Sequence, residues 1–283
     1  MMEFNEYLYC SEDDLTNRVN KILANSLDKT DRKEALKLIF SFIDLTTLEG
    51  SDNDGSVKQL CKKALSFSDN NKTKYEVAAV CVYPTMVKVA KESLENSNIS
   101  VASVAGAFPA GQSPIAVKVE EVKYAINQGA DEIDMVISRG KLIEGKTEIV
   151  FDEIKAIKDV CNDIHLKVIL ETGELKTVEN IRKASELAIN AGADFIKTST
   201  GKINPAATET AFLIMLDTIK EYYEKTGKMI GIKPAGGIRE SEQALRYFCL
   251  VKEILGDKWL NNKYFRIGAS SLAGNVLIDI LNF

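Results

Sequence analysis

Apolar positions along this chain follow two alternating spacings. Short runs rich in β-branched residues fall at 40–45, 77–83, 99–105, 132–137, 166–170, 195–198, 229–233 and 265–268, and each reads as a β-strand. Amphipathic stretches of good helix formers lie between them, including 114–127, 148–162, 178–190, 208–225 and 240–255. Strand and helix in strict alternation imply βα units on a parallel sheet. Eight such units suit a closed cylinder better than an open sheet, so the pattern predicts an α/β chain folded as a (β/α)8 TIM barrel. Before it, residues 11–38 are polar, with Leu15, Val19, Ile22, Leu23 and Leu27 at helical spacing. They predict one or two helices that cover an open end of the core or meet another subunit. The expected division is an N-terminal helical extension over 1–39 and a barrel over 40–283. No Pro-, Gly- or Ser-rich linker cuts the chain.

Strand parity locates the charges. Successive side chains point to opposite faces, and the outer face of a barrel strand must be apolar to pack on helices. Asp134 shares a face with Glu132 and opposes Ile133 and Met135. Lys167 and Glu171 oppose Leu166, Val168 and Leu170; Lys197 opposes Ile196; Lys233 opposes Ile232. These charges are expected to point inward. Buried charges are costly unless paired, so Asp134, Glu171, Lys167, Lys197 and Lys233 are expected to form one compensating cluster. A purely structural ion-pair network is the alternative. Convergence at the C-terminal strand ends, where barrel active sites lie, favours chemistry. Lys197 and Lys233 on neighbouring strands, shielded from water, cannot both remain comfortably charged. One free amine there would attack an aldehyde or ketone, which points to Schiff-base chemistry.

Composition narrows the partners. The chain has 283 residues, a net charge of −5 and one histidine, His165. The acidic balance disfavours nucleic-acid binding, and no apolar stretch is long enough to span a membrane. The N-terminus is acidic and does not read as a signal or transit peptide. Cys10, Cys61, Cys81, Cys161 and Cys249 are scattered without CxxC spacing, which predicts a reduced, cytoplasmic setting. A single histidine removes histidine-rich metal sites; it lies at the start of strand 5, where a structural role is expected. Cys81 shares parity with Ala79 and Tyr83 and is a candidate pocket residue, an inert buried thiol being the commoner outcome. Asp44 ends strand 1 and is expected to contact the pocket.

Three strand-to-helix loops are rich in small residues. Thr198-Ser-Thr-Gly-Lys202 follows strand 6, Ala235-Gly-Gly237 follows strand 7 and Gly268-Ala-Ser-Ser271 follows strand 8. Glycines let backbone N–H groups approach an anion, and a helix N-terminus adds positive potential. Ordinary turn chemistry would account for one such loop. Three on adjacent strands point to a phosphate pocket holding Thr200, Gly201, Lys202, Gly236, Gly237, Gly268, Ser270 and Ser271.

Taken together, the segments Asp44-Leu-Thr-Thr-Leu48, Cys81-Val-Tyr-Pro84, Phe108-Pro-Ala-Gly111, 129–134, 166–175, 191–202, 231–237 and 265–272 resemble the deoxyribose-phosphate aldolases, a class I aldolase family. They run in order over most of the chain, and the last three are the most specific. The resemblance implies a (β/α)8 barrel, no metal or other cofactor, and reversible cleavage of 2-deoxy-D-ribose 5-phosphate to acetaldehyde and D-glyceraldehyde 3-phosphate in deoxyribonucleotide catabolism. It implies Lys197 as the Schiff-base lysine, Asp134 as acid/base and Lys233 as the second catalytic lysine; from the inward charge cluster, Lys167 is expected to hold Asp134 ionised. It places phosphate contacts on Gly201, Lys202, Gly236, Gly237, Ser270 and Ser271, and implies a homo-oligomer, a dimer or larger. Some members end in a mobile tail with a tyrosine that assists proton transfer. This sequence stops at Asn282-Phe283, so that assistance is expected to be absent or supplied otherwise. Two alternatives stand beside this reading: another Schiff-base lyase or isomerase of a phosphosugar, and a non-catalytic sugar-phosphate-binding barrel.

Overall fold

The computed structural model describes residues 1–8, 11–69 and 75–283; Cys10 lies outside them. Eight parallel strands, β1 Ile43–Thr46, β2 Ala79–Val82, β3 Ser100–Ala105, β4 Glu132–Val136, β5 His165–Ile169, β6 Phe195–Lys197, β7 Gly231–Lys233 and β8 Ile267–Ala269, pair in sequence order, with β8 beside β1. The last seam closes by single bridges rather than a continuous ladder. Ile232 N–H donates to Tyr264 O at 2.8 Å, Arg266 N–H to Ile232 O at 3.1 Å and Gly268 N–H to Pro234 O at 2.9 Å. The cylinder is therefore shut, and the expected (β/α)8 barrel is the observed fold.

The remaining helices are α1 Glu12–Ser26, α2 Arg32–Ser41, α3 Asp54–Asp69, α4 Val87–Ser93, α5 Ile115–Asn127, α6 Arg139–Ile143, α7 Thr147–Cys161, α8 Thr172–Leu175, α9 Val178–Asn190, α10 Glu209–Thr226, α11 Ser241–Leu255 and α12 Leu272–Leu281. Their ends follow local chemistry. The Ser11, Asp31, Thr177 and Thr208 side chains each accept the N–H three residues on, which satisfies donors a helix start leaves open. Gly227, with φ 70°, ends α10. The strand expected from residue 40 begins only at Ile43. Phe40 belongs to α2, whose Leu36, Ile39 and Phe40 are buried at helical spacing; helix continuation outweighed the apolar run.

The N-terminal helices lie against the barrel wall. Leu15, Val19 and Leu23 form the buried stripe of α1, which packs on α10 and α11. Ahead of α1, Phe4 and Tyr7 lie over the Arg182 guanidinium of α9 at 5.0 and 5.2 Å, and Met2 exchanges two hydrogen bonds with the Asn190 side chain. Among the described residues no helix is long and apolar enough to cross a membrane. Cys61, Cys81, Cys161 and Cys249 are free and buried.

Candidate active site

Inside the cylinder, alternation delivers a charged layer. Asp134 on β4 is fully buried. Its Oδ1 accepts Lys167 Nζ at 2.8 Å, and its Oδ2 accepts both Lys197 Nζ at 2.8 Å and Lys233 Nζ at 2.7 Å. Behind it, Lys233 also binds Asp44, Lys167 binds Glu132 at 2.5 Å, and Arg266 spans Asp44 and Glu132 at 2.6 Å each. Among the described residues this network holds three carboxylates (Asp44, Glu132, Asp134) and four cations (Lys167, Lys197, Lys233, Arg266). In a dry interior the charges balance when one cation gives up its proton.

The electrostatics single out which one. Burial lowers the Lys197 pKa below the ordinary lysine value, with the Lys233 charge adding to the effect and Asp134 opposing it. Burial acts the same way on Lys233 and Lys167, but there the carboxylates outweigh it: Asp134 and Asp44 raise Lys233, and Asp134 and Glu132 raise Lys167. Burial would raise Asp134, yet Lys167, Lys197 and Lys233 pull it well below the carboxylate range. Lys197 is thus the odd ammonium out. Desolvation leads, and the neighbouring cation that parity alone suggested as the cause contributes after it.

Lys197 also faces a cleft of about 380 Å³ at the C-terminal end of the strands. The walls include Thr46, Thr47, Thr200, Gly201, Lys202, Gly236, Gly237, Gly268 and Ser270. Gly201, Gly236 and Gly237 adopt φ of 79°, 86° and 81°, conformations that favour glycine. A Cβ on Gly236 would stand 2.6 Å from Ala206 Cβ and 2.9 Å from Gly201 Cα, so the loops after β6 and β7 touch glycine on glycine. Ser271 precedes α12 without capping it. Lys202 Nζ reaches across the mouth to Glu49 at 2.8 Å.

Three expected positions come out differently. Asp44 does not line the cleft; it lies inside the barrel between Lys233 and Arg266. Cys81 faces the interior but sits in an apolar group with Leu48, Ala102 and Val104, and burial pushes its thiol up to about 11. Glu171 does not join the charge cluster: its carboxylate binds Thr200. Its φ of 59° breaks the alternation on which the inward assignment relied. Glu132 and Arg266, by contrast, are full members. The signal was available, since Glu132 shares parity with Asp134 and Arg266 with Gly268. Glu49 and Arg239 at the cleft mouth sit in loops, where no periodicity marks them. His165 is exposed at the far end of β5. Among the described residues no three His, Cys, Asp or Glu side chains stand together as a metal site.

Known proteins share this arrangement of elements. The family model for DeoC/LacD family aldolases matches residues 31–251. Human deoxyribose-phosphate aldolase is 46% identical over 83% of this chain and 77% of that one. A putative deoxyribose-phosphate aldolase of Caenorhabditis elegans is 46% identical over 87% of this chain and 81% of that one. The crystal structure of a putative deoxyribose-phosphate aldolase from Coccidioides immitis matches with a TM-score of 0.73 at 28% identity, over 95% of this chain and 98% of that one. With a family match across most of its length and relatives at this identity, the chain belongs to the DeoC/LacD family of aldolases.

Proposed function

We propose that this enzyme is a class I deoxyribose-phosphate aldolase, reversibly cleaving 2-deoxy-D-ribose 5-phosphate to acetaldehyde and D-glyceraldehyde 3-phosphate through an imine at Lys197. The carrying observation is the surplus cation: one lysine of a buried, carboxylate-balanced set has a lowered pKa and opens onto a glycine-lined cleft. The Lys197 amine adds to C1 of the open-chain aldehyde and water leaves, giving an iminium. The C2–C3 bonding pair flows into that iminium as the C3 hydroxyl loses its proton, and an enamine forms. Asp134, through a water, takes this proton. Held ionised by Lys167 and Lys233, it passes the proton on rather than storing it. Glyceraldehyde 3-phosphate departs, C2 is protonated, and hydrolysis frees acetaldehyde and the amine. Gly201, Lys202, Gly236, Gly237, Ser270 and Ser271 would hold the phosphate, which orients the reacting end. Asp44 acts on this scheme through Lys233, and Cys81 as packing. A cytoplasmic setting and homo-oligomeric assembly belong to the same reading, supported by the free thiols and, for assembly, by the family; light scattering measures the latter. The test of function is a coupled assay for glyceraldehyde 3-phosphate release, with Lys197→Ala as the control that loses it. Turnover of a different phosphosugar, with none of 2-deoxyribose 5-phosphate, would favour another Schiff-base lyase or isomerase.

A further inference from the structure

Parallel pairing between β5 and β6 breaks at Glu171. Leu170 N–H donates to Lys197 O at 2.9 Å. Regular pairing would then bring the N–H of residue 172 to the carbonyl of residue 199. Thr172 N–H instead donates to Thr198 O, at 2.9 Å. Glu171 is therefore the extra residue of a bulge, with φ 59° and ψ 59°. A non-glycine residue there is strained, and bulges re-aim side chains, often beside active sites.

This bulge turns the Glu171 carboxylate away from the charged layer and onto Thr200. Oε2 accepts Thr200 Oγ1–H at 2.5 Å, and Oε1 accepts the Thr200 N–H at 3.2 Å. With its proton committed to Glu171, Thr200 Oγ1 accepts the Lys202 N–H at 3.1 Å. Glu171 is fully buried, and among the described residues no cation forms an ion pair with it. Burial raises its pKa, with the two Thr200 bonds and the Arg139 charge opposing. A buried carboxylate without a paired cation and a strained backbone are both destabilising. Neither is required to close the barrel, because Leu170 and Thr172 make the strand bonds on either side.

We propose that Glu171 is a positioning residue for the anion-binding turn. It fixes Thr200, and through Thr200 the Lys202 backbone, so that Gly201 and Lys202 meet a phosphate in a preset geometry. This rests on the phosphosugar reading above. The informative variant is Glu171→Gly, which removes the carboxylate while keeping a residue that favours this φ; a thermal melt confirms that it folds. Calorimetry with inorganic phosphate should show about tenfold weaker binding, and KM for 2-deoxyribose 5-phosphate should rise about tenfold with kcat changed by less than about threefold. Turnover of unphosphorylated 2-deoxyribose should change by less than about threefold. Glu171→Gln, which keeps an oxygen for the Thr200 N–H, should recover part of the loss. Unchanged phosphate affinity and KM, or an equal loss on both sugars, would overturn the assignment. Absence of cleavage by the unaltered enzyme would strike the aldolase reading instead, and phosphate calorimetry would still decide the role of Glu171.

Discussion

Lys233 is the residue whose removal separates the two causes acting on Lys197. Its Nζ shares Asp134 Oδ2 with Lys197, and its charge helps lower the Lys197 pKa. Activity that needs a free amine rises with pH through that pKa. Lys233→Met, which leaves three cations to three carboxylates, should therefore move the acid limb of the kcat/KM profile to higher pH; an unmoved limb would remove Lys233 from the argument. At the mouth, Glu49 is largely exposed and holds Lys202 by a surface pair, an interaction worth about 0–1 kcal/mol. Glu49→Gln should lower KM for the phosphorylated sugar by about twofold to fivefold and leave kcat alone, since it frees Lys202 and removes a like charge. Individual inward residues were readable wherever alternation held, as at Asp134, Lys167, Lys197 and Lys233. Glu171 was misread because a bulge is a backbone event, set by pairing with β6, and leaves no mark in the apolar pattern.

Among the elements, β6 and β7 are kept in register by a size difference. Phe195 on β6 faces Gly231 on β7, and a Cβ at residue 231 would lie 2.4 Å from the Phe195 ring. Gly231→Ala should lower stability by about 1–3 kcal/mol in urea unfolding, the range for overpacking a filled core. Gly236→Ala acts higher up, where the loops after β6 and β7 touch. It should raise KM for the phosphosugar with little change in imine formation from acetaldehyde, because the amine lies below the displaced loop. The order and number of strands were legible because each βα unit alternates two periods. The start of β1 was not: residues 40–42 are apolar enough for strand or buried helix, and only packing of α2 on α11 and α12 decides.

At the scale of the molecule, the barrel is filled by an ionic network instead of hydrocarbon alone, and this sets its response to acid. Asp44, Glu132 and Asp134 all have folded pKa values below their unfolded ones. Groups of this kind contribute stability that is fully present above their unfolded values, near pH 4, and is lost as pH falls through the folded ones. Cooperative unfolding is expected on acidification. Arg266→Met, which leaves Asp44 and Glu132 short of a partner, should cost about 3–5 kcal/mol at neutral pH and move the acid transition to higher pH. On the proposed reading, the charge count that explains this stability also carries the chemistry: three carboxylates neutralise three of four cations, and the amine left over is Lys197. Borohydride reduction in the presence of acetaldehyde, followed by peptide mapping, tests that most directly. The account predicts one reduced ethyl adduct, on Lys197, at neutral pH, and none in Lys197→Ala. An adduct on Lys167 or Lys233, or no adduct at all, would contradict it.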